Sequence, residues 1–124
     1  MSTKISINIK KITISAELED TACAKSIADI MPIETSPNEW GDEFYFTIPV
    51  NMPPDETATI KVKAGDIGYW PPGNALAIFF GPTPLSTGSD PVPASKVNLV
   101  GRITDDPAIL KTAKGATRIR IEKV

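Results

Sequence analysis

Histidine is absent from this sequence, and cysteine occurs once, as Cys23. Imidazole and thiolate are the usual ligands for zinc, copper and iron, so one chain cannot build such a site. The sequence also offers no Ser-His or Cys-His pair for nucleophilic catalysis. We therefore expect no metal site and no catalytic residues of these kinds, and we interpret Cys23 as a small core residue.

Phosphate-binding loops and membrane-spanning runs are missing as well. Neither a GxxxxGK[ST] nor a GxGxxG pattern occurs, and no apolar run approaches the roughly 20 residues that cross a bilayer. The first residues, MSTKISINIK, have no long apolar core of a signal peptide. A single cysteine cannot form an internal disulfide. We therefore predict a cytoplasmic protein with no cofactor and no membrane partner.

Neither sign of charge is in large excess, because 13 Lys and Arg stand against 15 Asp and Glu, a net charge of −2. Bulk electrostatics therefore gives no attraction to nucleic acid, and we expect no such partner. Basic residues gather near the two ends of the chain, at 4–11 and 111–123. If the ends pair in one sheet, they form either two solvated strand faces or a weak anion site.

The length and composition fit one globular domain over residues 1–124, since 41% of the residues are hydrophobic and 23% are charged. Alternating isoleucines predict a hairpin at the start: Ile9 faces Ile12 and Ile7 faces Ile14 if residues 10–11 form the turn. Two lysines are unusual there, because tight hairpin turns favour Asn or Gly.

A helix follows the hairpin. Asp20 is the predicted N-cap, Cys23 and Ile27 begin an apolar stripe that continues through Ile30 and Met31, and Pro32 ends it. A second short helix is predicted from Asp106-Pro107 to Lys114-Gly115.

The remaining segments read as short strands and turns. Further strands are predicted at 33–36, 43–48, 57–63, 97–103 and 117–123. Residues 85–96 are rich in Gly, Ser and Pro and predict a mobile surface loop. We predict a mainly β fold, a closed or nearly closed antiparallel barrel of about eight strands with two short helices capping its ends.

Residues 65–84, GDIGYWPPGNALAIFFGPTP, form the most informative segment. Two apolar runs, at 67–70 and 75–80, flank a turn made of two prolines, Gly73 and Asn74. The second run is apolar on both faces, so one face fills the barrel and the other is covered or lines an apolar pocket. All eight aromatic residues fall between 40 and 80.

This segment, together with residues 40–46 (WGDEFYF), resembles the cyclophilin-like family, small bacterial and archaeal domains of unassigned role. The resemblance covers nearly the whole chain. It implies an eight-stranded barrel related to the prolyl isomerase cyclophilin, but smaller and with shortened loops. Phe79 and Phe80 are similar to the Phe-Phe of the cyclophilin pocket strand.

Cyclophilins carry a Phe-His-Arg block whose arginine hydrogen-bonds the prolyl nitrogen as the peptide bond twists. The nearest analogue here, residues 44–49 (FYFTIP), contains no arginine, and the arginines of the chain are Arg102, Arg118 and Arg120. The resemblance therefore implies a pocket wall without the catalytic group. Arg102 substitutes for it only if it projects into the cleft.

The leading hypothesis is a binding domain that takes a small ligand or peptide in an apolar cleft without catalysis. Trp70, Asn74 and Phe80 are its main candidate site residues, and Phe44 and Arg102 are further candidates. The alternative is a protein–protein interaction module that uses the same apolar face in a homo- or hetero-oligomer. A third possibility is an atypical prolyl isomerase.

Overall fold

The computed structural model describes residues 2–124, and they form one antiparallel sheet with a short helix and two 3₁₀ turns. The strands are β1 Thr3–Ile9, β2 Ile12–Leu18, β3 Ile33–Thr35, β4 Asn38–Glu39, β5 Glu43–Thr47, β6 Asp66–Trp70, β7 Ala75–Phe79, β8 Asn98–Ile103 and β9 Ile119–Lys123. Helix α1 spans Ala22–Asp29, and the 3₁₀ helices span Pro71–Gly73 and Pro107–Ala113.

The order of the strands explains how the sheet curls. Along the sheet it is β3-β9-β1-β2-β8-β6-β7-β5-β4, so the two edge strands are β3 and β4. Only residues 36 and 37 separate these strands in the chain, which forces the edges towards each other. The result is a curled half-barrel, and the mainly β prediction is confirmed with nine strands instead of eight.

The N-terminal hairpin has the predicted register. Ile9 pairs with Ile12, Ile7 with Ile14 and Ile5 with Ala16, so every apolar side chain of both strands faces the core. The turn is made possible by Lys10, whose φ of 54° lies in the left-handed region. Strand β9 pairs with β1, so the two ends of the chain do lie side by side.

Helix α1 starts one residue later than predicted. Thr21, not Asp20, is the N-cap, because its Oγ1 accepts a hydrogen bond of 3.1 Å from the Ala24 amide. Cys23 and Ile27 are fully buried on the inner face of the helix. Burial raises the pKa of the Cys23 thiol. The second predicted helix is present as the 3₁₀ turn Pro107–Ala113, capped by the Asp106 side chain.

Residues 57–63 do not form the predicted strand. Their regular pairing is limited to one bridge between Thr59 and Val97, and the rest of the segment lies across the outside of the sheet. Its apolar content comes from covering that face, where Val62 is buried against Phe79 and Val97. A buried apolar residue therefore produced a strand-like pattern without a strand.

The loop 85–96 folds back on the body of the protein. Thr83 Oγ1 donates a hydrogen bond of 2.5 Å to the Val92 carbonyl, and Ser86 Oγ donates one of 2.8 Å to the Asp90 carbonyl. Pro91 and Pro93 are buried. The loop therefore covers part of the outer face of the sheet.

Candidate functional site

Strand β7 is buried on both faces, as its sequence predicts. Alternate side chains go to different places: Leu76 and Ile78 belong to the main core inside the barrel, whereas Ala77 and Phe79 belong to a smaller cluster outside it. The main core is completed by the other strands, α1 and the 3₁₀ turn Pro107–Ala113. The outer cluster is where the barrel wall, the segment before β6 and the loop before β8 meet.

A pocket of about 240 Å³ opens at this outer face. Its floor is β7, its sides are β5 and β6, and the loop before β8 closes it. The lining residues are Trp40, Glu43, Tyr45, Trp70, Ala75, Ala77, Phe79, Pro93, Ala94 and Val97. Except for the Glu43 carboxyl and the polar edges of three aromatic rings, the lining is apolar.

Small residues create the space. Ala75 and Ala77 lie on β7 opposite Trp70 and Gly68 of β6, so little side-chain volume stands above the floor. A Cβ atom on Gly68 would lie 2.8 Å from Cγ2 of Val97 and 3.4 Å from the Phe79 ring. Glycine at this position therefore lets Val97 approach the sheet and form one side of the pocket.

Glu43 is the unusual member of the lining. Only 7% of its surface is exposed, and its Oε1 atom is buried without a hydrogen-bond partner in the part of the chain that the structure describes. Burial raises the pKa of this carboxyl from 4.5 to about 7, because the charged form loses its hydration. Buried polar atoms normally have hydrogen-bond partners, so this unpartnered oxygen is an exception within residues 2–124.

A tight turn sets Glu43 and Trp40 beside each other. The Trp40 amide donates a hydrogen bond of 3.0 Å to the Glu43 carbonyl, and the Asp42 amide donates one of 2.8 Å to the Pro82 carbonyl. Gly41 has a φ of +62°, and a Cβ there would lie 2.8 Å from the Thr83 backbone. The turn therefore requires glycine, and it fixes Trp40 at the pocket rim.

Trp70 is held from two sides. Its indole Nε1 donates a hydrogen bond of 2.7 Å to Ser95 Oγ in the loop before β8. On its other side, a Cβ atom on Gly73 would lie only 2.7 Å from the six-membered ring. The ring is thus fixed between the turn after β6 and the covering loop, at the mouth of the pocket.

The candidate site residues from the sequence are not all brought together. Trp70 lines the pocket, but Phe44 and Phe80 lie in the main core on the other side of the sheet. Their ring centroids are 4.8 Å apart. The reason is strand alternation: Phe44 neighbours Glu43 on β5, and Phe80 follows Phe79, so each pair splits between the two faces.

Asn74 and Arg102 also lie outside the pocket lining. Asn74 ends the 3₁₀ turn with a φ of 47°, and its Oδ1 accepts a hydrogen bond of 3.2 Å from the Tyr69 hydroxyl. Arg102 is exposed on β8, opposite Asp66, and lines a separate depression of about 640 Å³. The first residue shapes the turn, and the second does not reach the pocket.

Sequence reasoning did not select Glu43, Trp40 or Tyr45. The available signal was the alternation in residues 43–47, where Phe44 and Phe46 mark the inner face and leave Glu43 and Tyr45 on the other. That these two side chains meet the floor of β7 depends on the β5–β7 pairing, which joins residues 28 to 36 positions apart in the chain, with β6 between them.

Two kinds of feature are absent from residues 2–124. No cluster of three or more Cys, Asp or Glu side chains has the geometry to hold a metal ion within that range. In the same range no helix has the length and hydropathy needed to cross a bilayer.

The comparisons with known proteins agree with this architecture. The cyclophilin-like family profile matches residues 3–122. The chain is also similar to the solution structure of a hypothetical protein from Archaeoglobus fulgidus, with 34% sequence identity, coverage of 99% of this chain and 95% of that chain, and a TM-score of 0.81. No curated protein matches. The profile covers nearly the whole chain, and the chain belongs to the cyclophilin-like family.

Proposed function

We propose that this domain binds a small, mainly apolar molecule, or one apolar side chain of a peptide, in the pocket over β7, without catalysing a reaction. The observation that supports this most strongly is the buried Glu43 carboxyl, whose Oε1 has no partner among the described residues. An unsatisfied buried polar atom costs about 1–3 kcal/mol. A ligand that donates a hydrogen bond to it removes that cost.

The size of the pocket restricts the ligand. Its volume of about 240 Å³ is below the roughly 300–1,000 Å³ of pockets for drug-sized molecules. The flat floor of Ala75 and Ala77 between Trp70 and Tyr45 suits one ring or one branched aliphatic group. If such a ligand carries a single polar group, that group then lies beside the Glu43 carboxyl.

Intrinsic fluorescence offers a direct test, because the chain has two tryptophans, Trp40 and Trp70, and both line the pocket. A fragment library of single-ring compounds is titrated while tryptophan emission is followed. We expect saturable changes with at least some fragments. Crystals soaked with these fragments are expected to show them over β7.

The matched variants are Ala77→Leu, which fills the floor, and Ala22→Leu, which adds the same volume on the exposed face of α1. We expect Ala77→Leu to abolish fragment binding and Ala22→Leu to retain it. If Ala77→Leu fails to fold, Ala75→Val makes a smaller change to the same floor. Unchanged binding in the folded floor variants would overturn the proposal, as would a library without any hit.

A further inference from the structure

The pocket brings together two kinds of group that attract the same charge. Glu43 supplies a carboxyl, and Trp40, Tyr45 and Trp70 supply aromatic rings whose faces carry partial negative charge. No Lys or Arg is among the ten lining residues. An anionic ligand would be repelled by both kinds of group, whereas a cation would be attracted by both.

We propose that the ligand is an organic cation, an ammonium group on a small apolar body, bound between the Glu43 carboxylate and the rings of Trp40, Tyr45 and Trp70. This inference rests on the proposed function and names its ligand class. Aromatic rings combined with a carboxylate form the arrangement that recognises quaternary and methylated ammonium groups. The apolar floor of Ala75 and Ala77 accepts the methyl or methylene groups that surround the nitrogen.

Within residues 2–124, no lysine or arginine side chain supplies such a cation to Glu43. Lys114 forms an ion pair with Asp42, whose Oδ1 atom is 2.5 Å from the lysine Nζ, so Lys114 is engaged with the residue next to Glu43. Glu39 of β4 accepts a hydrogen bond from the Gly115 amide, and β7 contributes only apolar residues. Tyr45 is the other titratable group in the lining.

Burial is accordingly the only cause of the raised pKa of Glu43. A bound cation would favour the ionised carboxylate and lower that pKa. Binding therefore becomes tighter as the pH rises through about 7, and it releases a proton below that pH. A neutral ligand held by apolar contacts alone shows neither effect.

A matched pair of probes separates charge from shape. Choline carries the trimethylammonium group, and its neutral isostere dimethylbutanol has a quaternary carbon in place of the nitrogen. Each is titrated into the full chain at about pH 6 and about pH 8, on either side of the Glu43 pKa of about 7. The indole N–H signals of Trp40 and Trp70 are followed by NMR.

We expect choline to bind at least about ten-fold more tightly than the isostere at the higher pH, because its positive charge is attracted by the carboxylate and by the faces of the aromatic rings. The preference should shrink at the lower pH and disappear in Glu43→Gln. Glu56→Gln, which removes a carboxylate from an exposed position outside the pocket, should keep it. Calorimetry in buffers of different ionisation enthalpy should detect the released proton.

The wild-type comparison needs no variant and decides the question even if Glu43→Gln is poorly folded. Equal or tighter binding of the isostere overturns the cation inference and leaves the proposed apolar binding function intact. The inference is also overturned if choline perturbs neither tryptophan. The proposed function fails separately, when no fragment of any charge binds over β7.

Discussion

Glu43 on β5 lies directly opposite Phe79 on β7, so the one buried carboxyl of the pocket stands beside the largest side chain of its apolar floor. Phe79 is fully buried, and Glu43 is nearly so. An acidic group in this position has lost water without gaining a protein partner in residues 2–124. This pairing has consequences for stability as well as for binding.

The first prediction concerns pH and Glu43. Its pKa is raised from 4.5 to about 7 in the folded state, so the native protein keeps this proton where the unfolded chain has lost it. Below about pH 4.5 the group is neutral in both states and costs nothing; between about pH 4.5 and pH 7 stability falls as pH rises. Above that range the full cost is about 3 kcal/mol.

Glu43→Gln removes this ionisation. We expect the variant to gain stability relative to wild type as the pH rises from about 4.5 to 7, by up to about 3 kcal/mol. Urea denaturation across that range measures the difference, and Glu56→Gln at an exposed position is the control. A constant difference between Glu43→Gln and wild type would show that Glu43 is not buried as an isolated acid.

The second prediction concerns Gly68. A Cβ there would lie 2.8 Å from Cγ2 of Val97, whereas nothing lies within 4 Å of a Cβ on Gly88. Overpacking typically costs about 1–3 kcal/mol, so Gly68→Ala should be destabilised by that amount and Gly88→Ala should not. Thermal unfolding of the two variants checks this, and equal melting temperatures would contradict the close approach of Val97.

The third prediction separates the core from the pocket. Phe80 packs on Phe44 inside the barrel and lies outside the pocket lining. Phe80→Ala should cost about 3–5 kcal/mol of stability. The milder Phe80→Leu should lower the melting temperature and leave fragment affinity unchanged at a temperature where the variant is folded. A specific loss of affinity without loss of stability would place Phe80 in the binding site.

The fourth prediction concerns prolyl isomerisation. An uncatalysed X-Pro bond relaxes in tens to hundreds of seconds, and a pocket that binds ground and transition states equally does not accelerate it. No arginine is among the pocket-lining residues, and Arg102 is exposed on β8 away from them. We therefore expect no acceleration in a protease-coupled proline peptide assay. Turnover that Arg102→Ala abolishes would contradict this prediction.

Local patterns were sufficient for much of the fold. The alternation of Ile5, Ile7 and Ile9 with the isoleucines of β2 gave the hairpin register, because a one-residue slip would expose every one of them. Asp106 before Pro107 gave the start of the second helical turn. Thr21 was overlooked because Asp20 also has a capping side chain, and only the backbone decides which residue is placed at the cap.

Segments that cover other segments were harder to predict. Residues 57–63 look like a strand because Val62 must be buried, yet most of their backbone pairs with no neighbouring strand. Residues 38–39 form a real strand that is too short to show an alternation. In both cases the pattern reports burial, and strand pairing is a separate property that depends on distant parts of the chain.

A mainly β fold, the family, and a strand at 75–79 that is apolar on both faces all follow from the amino-acid sequence. Hydrophobic periodicity and turn chemistry are local properties, and they were enough for these conclusions. Which aromatic residues meet depends instead on how distant strands pair in the folded protein. The pairing of β7 with β5 and β6 places Tyr45, Trp70 and Glu43 over Ala77 and leaves Phe44 and Phe80 inside. The pKa of Glu43 also follows from that assembly, because burial is created by neighbours and not by the residue itself.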